Sequence, residues 1–589
     1  MKNLYIHGSI GNRIDRSKKN RYSNFWIGGL LGALTFVALY GFYILNVTYD
    51  GWLLTGKDLQ QHYIGWTAFR GADWTFPIGL HDGLTYPNQV SIIYTDSIPL
   101  FAIIFKVLSP ILPATFQYFG LFGLMCFVLN GGAASIIISK FTDSKIICML
   151  GSMFFILSAS VLQRLFGIPA EATRHTALAA HFLILFSIIV WLYQDKFKKI
   201  SHAAIIWSIL SISCILIQTY FLFMVGGIMC GYLLECLIRD KDYKRLLVVL
   251  PAFIISAGTM TFILGGFSGN ASAGAGGFGL FSSNLNTLFN PMGYSSILPD
   301  LSIAVWGQYE GFAYLGLGML ILVVIAVVIA VMTLVKIVKE KRFKKLFVKY
   351  KGSVISLTVV IFVFGMLAVS NKVGLGGRVL FEIPLPDKVM DLMAVFRSSG
   401  RFIWCIKYFI MIFSIAVILK KLKLKWSIPL LAVCLSLQIA DLSGALVRIN
   451  HTFNQQEEFR ANRLKSEIWS NIPERFDKIM FFPVVSFKDE GYKDLYLEMG
   501  VVAKKNQMKM NYFYFSRELR DFIQSSNEEL EQVFENGSFD NNTLYILDKE
   551  TANRFKGTIN MYNIDGIIVA SLQELPYDGE ELTYEVQVE

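Results

Sequence analysis

About eleven apolar runs, most of them near twenty residues long, divide this chain at short intervals, and nothing else in it limits the fold so strongly. They lie at residues 25–46, 115–138, 146–163, 176–194, 203–216, 219–238, 245–265, 312–335, 353–370, 402–420 and 427–445. A hydrocarbon core of roughly 30 Å is crossed by a helix of about 20 such residues. Inside lipid every backbone amide must be bonded within its own segment, so runs of this kind fold as helices. With 54% hydrophobic and 17% charged residues in 589, a soluble globule is excluded. The expected fold is mainly α: a polytopic membrane helix bundle of about 11 transmembrane helices, followed by a C-terminal soluble α/β domain.

Charge placement gives an orientation. Arg13, Arg16, Lys18, Lys19 and Arg21 precede the first run, and Lys140 and Lys145, Lys196 to Lys199, Arg239 to Arg245, KIVKEKRFKKLFVKYK and KKLKLK fall between later ones. If residues 97–113 do not cross, all of these clusters share the side of the amino terminus, which the positive-inside rule makes cytoplasmic. Residues 97–113 are then a second surface or re-entrant helix, with Lys106 snorkelling from it. The net charge of +10 is spent on these clusters, so no nucleic-acid partner is implied. The first run lacks a clear small-residue cleavage site and is expected to stay as a membrane helix. All seven cysteines lie in apolar runs, which points to neither a disulfide framework nor a zinc site. The resulting division is a cytoplasmic basic tail at 1–24, a membrane domain at 25–445 with a large first outer loop at 47–113, and an extracytoplasmic domain at 446–589.

That first outer loop is crowded with aromatics and carries Asp50, Asp58, Asp82 and Asp96. From Asp58 to Arg70, Leu59, Tyr63, Trp66 and Phe69 recur at helical spacing, with Asp58, Gln61, His62 and Gly65 on the other side. The pattern predicts a short helix on the bilayer surface that offers a carboxylate and an imidazole, one turn apart, to water. Asp58 in that setting is a candidate general base; an ordinary helix N-cap is the alternative. Asp96, in YTDSIPLF, precedes a helix whose first turn holds a proline, and is the second acidic candidate.

Other outward loops add candidates for binding substrate. Residues 167–181 bring Glu171, Arg174 and His175 to the mouth of a helix pair, and WGQYEGFAYLGLG places Glu310 at the start of another helix. Arg397 and Arg401, four apart, stand where the charge rule least expects cations, and so call for an anionic partner. Pairing with Asp391 and Glu382, or with ordinary headgroups, is the plainer alternative. Single histidines such as His62, His175 and His181 show no metal-ligand spacing and are more often structural. The loop GGFSGNASAGAGGFG lacks a Gly-Lys-Ser/Thr ending, so it is no nucleotide P-loop; it reads as a mobile lid or a plain connection. Past residue 445, strand-like runs (KIMFFPVV, KMNYFYF, TLYILD, GIIVAS, TYEVQV) alternate with helical ones, of which RELRDFIQSSNEELEQVFEN is the clearest.

The arrangement resembles the GT-C glycosyltransferases, and the stretches GKDLQQHYIGWTAFR, WTFPIG, YTDSIPLFAIIFK, RHTALAAHFLIL, YEGFAYLGLG and FRSSGRFIW look like a bacterial membrane-protein family with that architecture, over residues 25–445. The resemblance implies a multi-pass cell-membrane enzyme that takes a polyprenyl-phosphate-linked sugar as donor and a cell-envelope glycan or glycolipid as acceptor. By position it implies Asp58 as the base and Asp96 as a second acidic site. His62, Glu171, Arg174, His175, Glu310, Arg397 and Arg401 are the candidates for binding substrate. Either the arginines or a divalent metal ion would take the charge of the departing phosphate; no cofactor is otherwise implied. A transporter or flippase for a lipid-linked saccharide would use the same outer aromatics and arginines, but should add ionisable or helix-breaking residues at mid-membrane. A non-catalytic membrane scaffold would leave Asp58 replaceable.

Overall fold

The computed structural model describes residues 3–167, 174–268, 277–454, 464–489 and 491–576, with side chains from residue 22 onward. The first half is helical: α1 (Asn3–Tyr40), α2 (Lys57–Gly71), α3 (Pro99–Val107), α4 (Phe119–Ile138), α5 (Lys145–Ile156), α6 (Ala159–Leu165), α7 (Phe182–Leu192), α8 (Ile200–Ile217), α9 (Tyr220–Asp240) and α10 (Tyr243–Ile263), with a small ladder of β1 (Leu80–His81) and β2 (Val90–Ser91) after α2. Then come α11 (Leu317–Lys339), α12 (Phe343–Val369), the hairpin β3 (Lys372–Leu375) and β4 (Arg378–Glu382), α13 (Asp387–Met393), α14 (Ile403–Lys421) and α15 (Leu424–Asn454). The chain closes with α16 (Ile468–Arg475), β5 (Lys478–Phe482), α17 (Tyr492–Lys504), β6 (Lys509–Met510), α18 (Arg520–Asn536), β7 (Thr543–Leu547), α19 (Lys549–Arg554), β8 (Asn560–Ile564) and β9 (Ile567–Ser571).

Two compact units result, one from Met1–Asn46, Tyr118–Ala257 and Gly274–Gln456, the other from Val47–Gln117, Gly258–Ala273 and Glu457–Glu589. Nine helices among the described residues are long and apolar enough to cross a membrane, or ten if α5 and α6, bent by 49°, count as one crossing. The reversal expected near Gln218 is present, with α8 ending at Ile217 and α9 beginning at Tyr220. The run at 176–194 does not make a full crossing: it folds as a 3-10 turn, Thr176–Ala179, and then the 11-residue α7, about 17 Å at 1.5 Å per residue. α1 and α4 approach closely through small residues, since a Cβ on Gly28 would stand 2.3 Å from the carbonyl of Gly131. Such contacts pack helices in lipid, where the hydrophobic effect between them is absent.

The second unit is built on a five-stranded sheet, β6-β5-β7-β9-β8, in which β5 runs parallel to β6 and β7 while β9 is antiparallel to β7 and β8. One face buries Met480, Phe482, Leu530, Phe534, Tyr545 and Leu547. The early loop joins this sheet at its edge: Tyr86 N–H donates to the Met510 carbonyl (2.8 Å) and Met510 N–H to that of Gly83 (2.9 Å). An edge strand needs such cover against stray pairing. Of the expected strands, KMNYFYF is extended only at Lys509–Met510, and TYEVQV lies outside the described residues.

The helix predicted from Asp58 to Arg70 forms as α2, but its wet face does not. Gln60, Gln61 and His62 are buried together with Leu59, Tyr63, Trp66 and Phe69. The polar faces are matched by donors and acceptors from the same unit: Gln60 Nε2 donates to the Leu497 carbonyl (2.8 Å), Gln61 Nε2 to that of Tyr514 (2.9 Å) and Trp66 Nε1 to that of Phe116 (2.9 Å). α2 is therefore a core helix of its unit, and buried amides of this kind are tolerated because each is bonded.

Candidate functional site

The N-cap of α2 is Gly56, whose N–H is bonded to Gln60 Oε1 at 2.9 Å, so Asp58 sits inside the first turn and does not cap it. Its Oδ1 instead accepts a hydrogen bond from the Tyr514 hydroxyl at 2.6 Å. Tyr514 is held in turn by Phe487 (ring centroids 5.1 Å apart) and by Lys493 Nζ, 4.1 Å over its ring. Two other loop aspartates are also claimed by the carboxyl-terminal stretch, Asp50 by Lys504 and Asp82 by Lys509 (2.6 Å), and Asp50 accepts from the Tyr63 hydroxyl of α2 as well (2.8 Å). Lys106 does snorkel, but onto protein: its Nζ lies 4.1 Å over Phe69 and 4.6 Å over Trp74.

Asp96 takes a left-handed conformation, φ 52°, between the 3-10 turn Ile92–Thr95 and α3, whose first residue is Pro99. This turn is pressed onto α2 at Gly65, where a Cβ would meet Thr95 Cβ at 2.4 Å and Ser97 Oγ at 2.6 Å. Ser97 Oγ donates to the His62 carbonyl at 2.6 Å. The close approach brings a carboxylate oxygen of Asp96 within 4.8 Å of a ring nitrogen of buried His62. Asp58, His62 and Asp96 thus belong to one small region of the second unit, with Tyr514 as a member that sequence reading missed.

The first unit carries a buried charge cluster. Glu310, in the 3-10 helix Trp306–Gly311, has one carboxylate oxygen, Oε2, bonded by Arg164 Nη2 (2.8 Å) and Arg401 Nε (2.9 Å). The side chains of these three are 10%, 2% and 11% exposed. Burial pushes the Glu310 carboxyl up, but the two guanidiniums more than reverse this and hold it at about 2. Two guanidiniums thus share one carboxylate oxygen in a dehydrated place, where breaking such a pair is costly. The Arg401 guanidinium also lies 4.9 Å over the Tyr220 ring. His175 donates its backbone N–H to the Arg164 carbonyl (2.9 Å), and Arg174 is buried beside Gly167.

Arg397 and Arg401 are separated in role: Arg397 is exposed, 5.1 Å over Phe281, and Glu382 pairs with Lys372 (3.3 Å). Glu171 lies outside the described residues, as does most of the glycine-rich loop. Arg164 went unnoticed in the sequence; its signal was a lone cation inside the apolar stretch SVLQRLFG.

The model of the family described as "Domain of unknown function (DUF6311)" matches residues 29–443, and that of the "DUF6311 C-terminal domain" matches residues 468–572. No curated protein matches the chain. Among solved structures, the oligosaccharyltransferase AglB from Archaeoglobus fulgidus, in complex with an inhibitory peptide and a dolichol-phosphate, is similar at 9% identity and a TM-score of 0.40, over 95% of this chain and 75% of that one. At that score the likeness carries no argument.

Proposed function

We propose a function for this chain, which belongs to the family described as Domain of unknown function (DUF6311): it is a membrane glycosyltransferase that moves a sugar from a polyprenyl-phosphate carrier to a cell-envelope glycan or glycolipid. The observation that supports this best is the buried Arg164–Glu310–Arg401 cluster, two guanidiniums beside the ends of apolar helices. A phosphate carried on a lipid tail is an anion that can reach such a place. Bidentate guanidinium recognition suits it.

In this reading Asp58 accepts the proton of an acceptor hydroxyl as that oxygen bonds to the anomeric carbon. The bond from this carbon to the phosphate oxygen breaks with inversion, and the lipid phosphate leaves with its electron pair. The charge that develops on the leaving phosphate calls for a positive group beside it. General-base catalysis alone supplies about 10²–10⁴-fold, so positioning and charge stabilisation would carry most of the acceleration. His62 and Asp96 offer donor types that a divalent metal ion accepts, and such an ion would supply further positive charge.

A second reading, transport of a lipid-linked saccharide, is favoured by one observation. At the break between α5 and α6, Ser158 and Ser160 hold Lys407 Nζ at 2.6 and 2.9 Å, and this buried ammonium has no carboxylate partner among the described residues. Broken helices and intramembrane charges mark transport pathways.

The test uses purified protein in lipid with polyprenyl-phosphate-linked mannose, glucose and N-acetylglucosamine, scoring sugar release or transfer for wild type and Asp58→Asn. Loss of turnover by about 10²-fold or more in a folded variant fits a general base. Undiminished turnover in that variant removes Asp58 from the role, and lipid flipping without sugar release favours the transporter.

A further inference from the structure

The connection from α12 to α14 exposes apolar residues in a way that water does not favour. β4 is uncovered along its whole length although it pairs with β3. Val379, Leu380 and Phe381 are 44%, 52% and 54% exposed, and Ile383 and Leu392 follow at 38% and 68%. Side chains alternate along a strand, so Leu380 lies on one face of the hairpin and Val379 and Phe381 on the other. Both faces are therefore apolar, whereas a hairpin at the surface of a soluble domain keeps one polar face. An edge strand of this composition in water would be a site of aggregation.

The neighbouring helix indicates what covers it. On α12, Val359, Phe362, Val363 and Met366 are all exposed and spaced as one stripe of a helix that is long and apolar enough to cross a membrane. This lipid-facing stripe runs into the last turn, α12 ends at Val369, and β3 begins at Lys372. The intervening chain spans at most about 10 Å. The connection is tethered at its other end too, by the candidate span that begins at Ser399. Charges sit at the ends of β4, Arg378 at the turn and Glu382 paired to Lys372 at the base, and the apolar residues lie between them. In α13, Asp387 and Asp391 share one face, and Leu392 lies about 100° round from Asp391, beside Lys388.

We propose that the β3–β4 hairpin and α13 form an interfacial element whose Val379, Leu380, Phe381, Ile383 and Leu392 side chains lie in the acyl region of the leaflet at this end of α12 and α14. The partner is the bilayer itself, reached by continuity with the lipid-facing stripe of α12. The assignment stands independently of any catalytic role.

The test places a nitrobenzoxadiazole label at Leu380→Cys, and separately at Val379→Cys on the other face, in the full-length Cys230→Ser protein in phosphatidylcholine/phosphatidylglycerol nanodiscs. A label at Glu529→Cys serves as the water reference. Insertion gives a blue-shifted emission at 379 and 380, and quenching by lipids carrying a doxyl group near the headgroup end of the acyl chain at least about twofold above the reference. Emission and quenching equal to the reference at both positions overturn the proposal. Concentration-dependent disulfide formation between Leu380→Cys chains without lipid quenching also overturns it, and assigns the hairpin to a second copy of the chain.

Discussion

Glu310→Gln keeps the shape of the side chain at the centre of the buried cluster and removes its charge. The carboxyl is held at about 2 against an ordinary 4.5, with Arg164 and Arg401 outweighing the cost of burial. At 1.36 kcal/mol per unit that difference corresponds to roughly 3 kcal/mol, within the range of about 3–5 kcal/mol for removing one partner of a buried ion pair. The folded-state value is depressed, so this stability is fully present above pH 4.5 and is lost as the pH falls from there toward 2. The assay is thermal unfolding of wild type and variant in nanodiscs, followed by intrinsic fluorescence, at pH 7 and down a series to pH 3. The variant should be less stable by roughly 3 kcal/mol at pH 7, and the gap should narrow in acid. Because the variant removes the carboxylate that both guanidiniums share, inorganic phosphate should stabilise it more than wild type by mass action. A gap of less than about 0.5 kcal/mol, as for an ordinary surface substitution, together with equal indifference to phosphate, would refute a stabilising role for the shared carboxylate.

Tyr514→Phe removes a hydrogen bond to a carboxylate, a loss of about 1.5–3 kcal/mol, and should lower kcat more than it raises KM. Combined with Asp58→Asn it should cost little extra, since residues that act as a unit are not additive; full additivity would make Tyr514 a structural residue only. Gly65→Ala drives a methyl into Thr95 and Ser97, and should cost about 1–3 kcal/mol by overpacking, seen as earlier proteolysis of the 92–97 turn. Burial lowers the Lys106 ammonium to about 8 despite Asp73 and Asp82 nearby. Its folded-state value is below the unfolded one, so a penalty present below pH 8 is relieved as the pH rises toward 10.5. Wild type should therefore gain stability on Lys106→Met across that window, and a flat difference would count against it.

Local pattern made the helices legible and long-range contact set everything else. The 3.6-residue spacing of Leu59, Tyr63, Trp66 and Phe69 found α2, but its polar side looked wet because Leu497 and Tyr514, which satisfy Gln60 and Gln61, lie more than four hundred residues away. The N-cap alternative for Asp58 fails locally, because Gly56 takes the cap position. The stretch at 146–163 is apolar throughout, and hydropathy alone could not reveal the break at Ser158, which is fixed by Lys407 from another helix. Asp441, a charge inside the last apolar run, is buried within α15, accepting from the Tyr314 hydroxyl (2.7 Å) and the Leu317 N–H (3.0 Å), partners that the run itself does not reveal. Glu310 and Arg401 were found because they stood at run boundaries; Arg164, inside a run, was passed over.

The second unit is assembled from three stretches far apart in the chain, and this has a consequence for synthesis. Residues 47–117 leave the ribosome long before β5 to β9 exist. At about 5–20 residues per second, the wait from residue 117 to residue 576 is roughly 20 to 90 s. Throughout it Asp50, Asp58 and Asp82 lack Lys504, Tyr514 and Lys509, and α2 has no cover for its amides. A ribosome that stalls before the final stretch thus releases a chain in which the membrane helices are made and the acidic loop has nothing to fold upon.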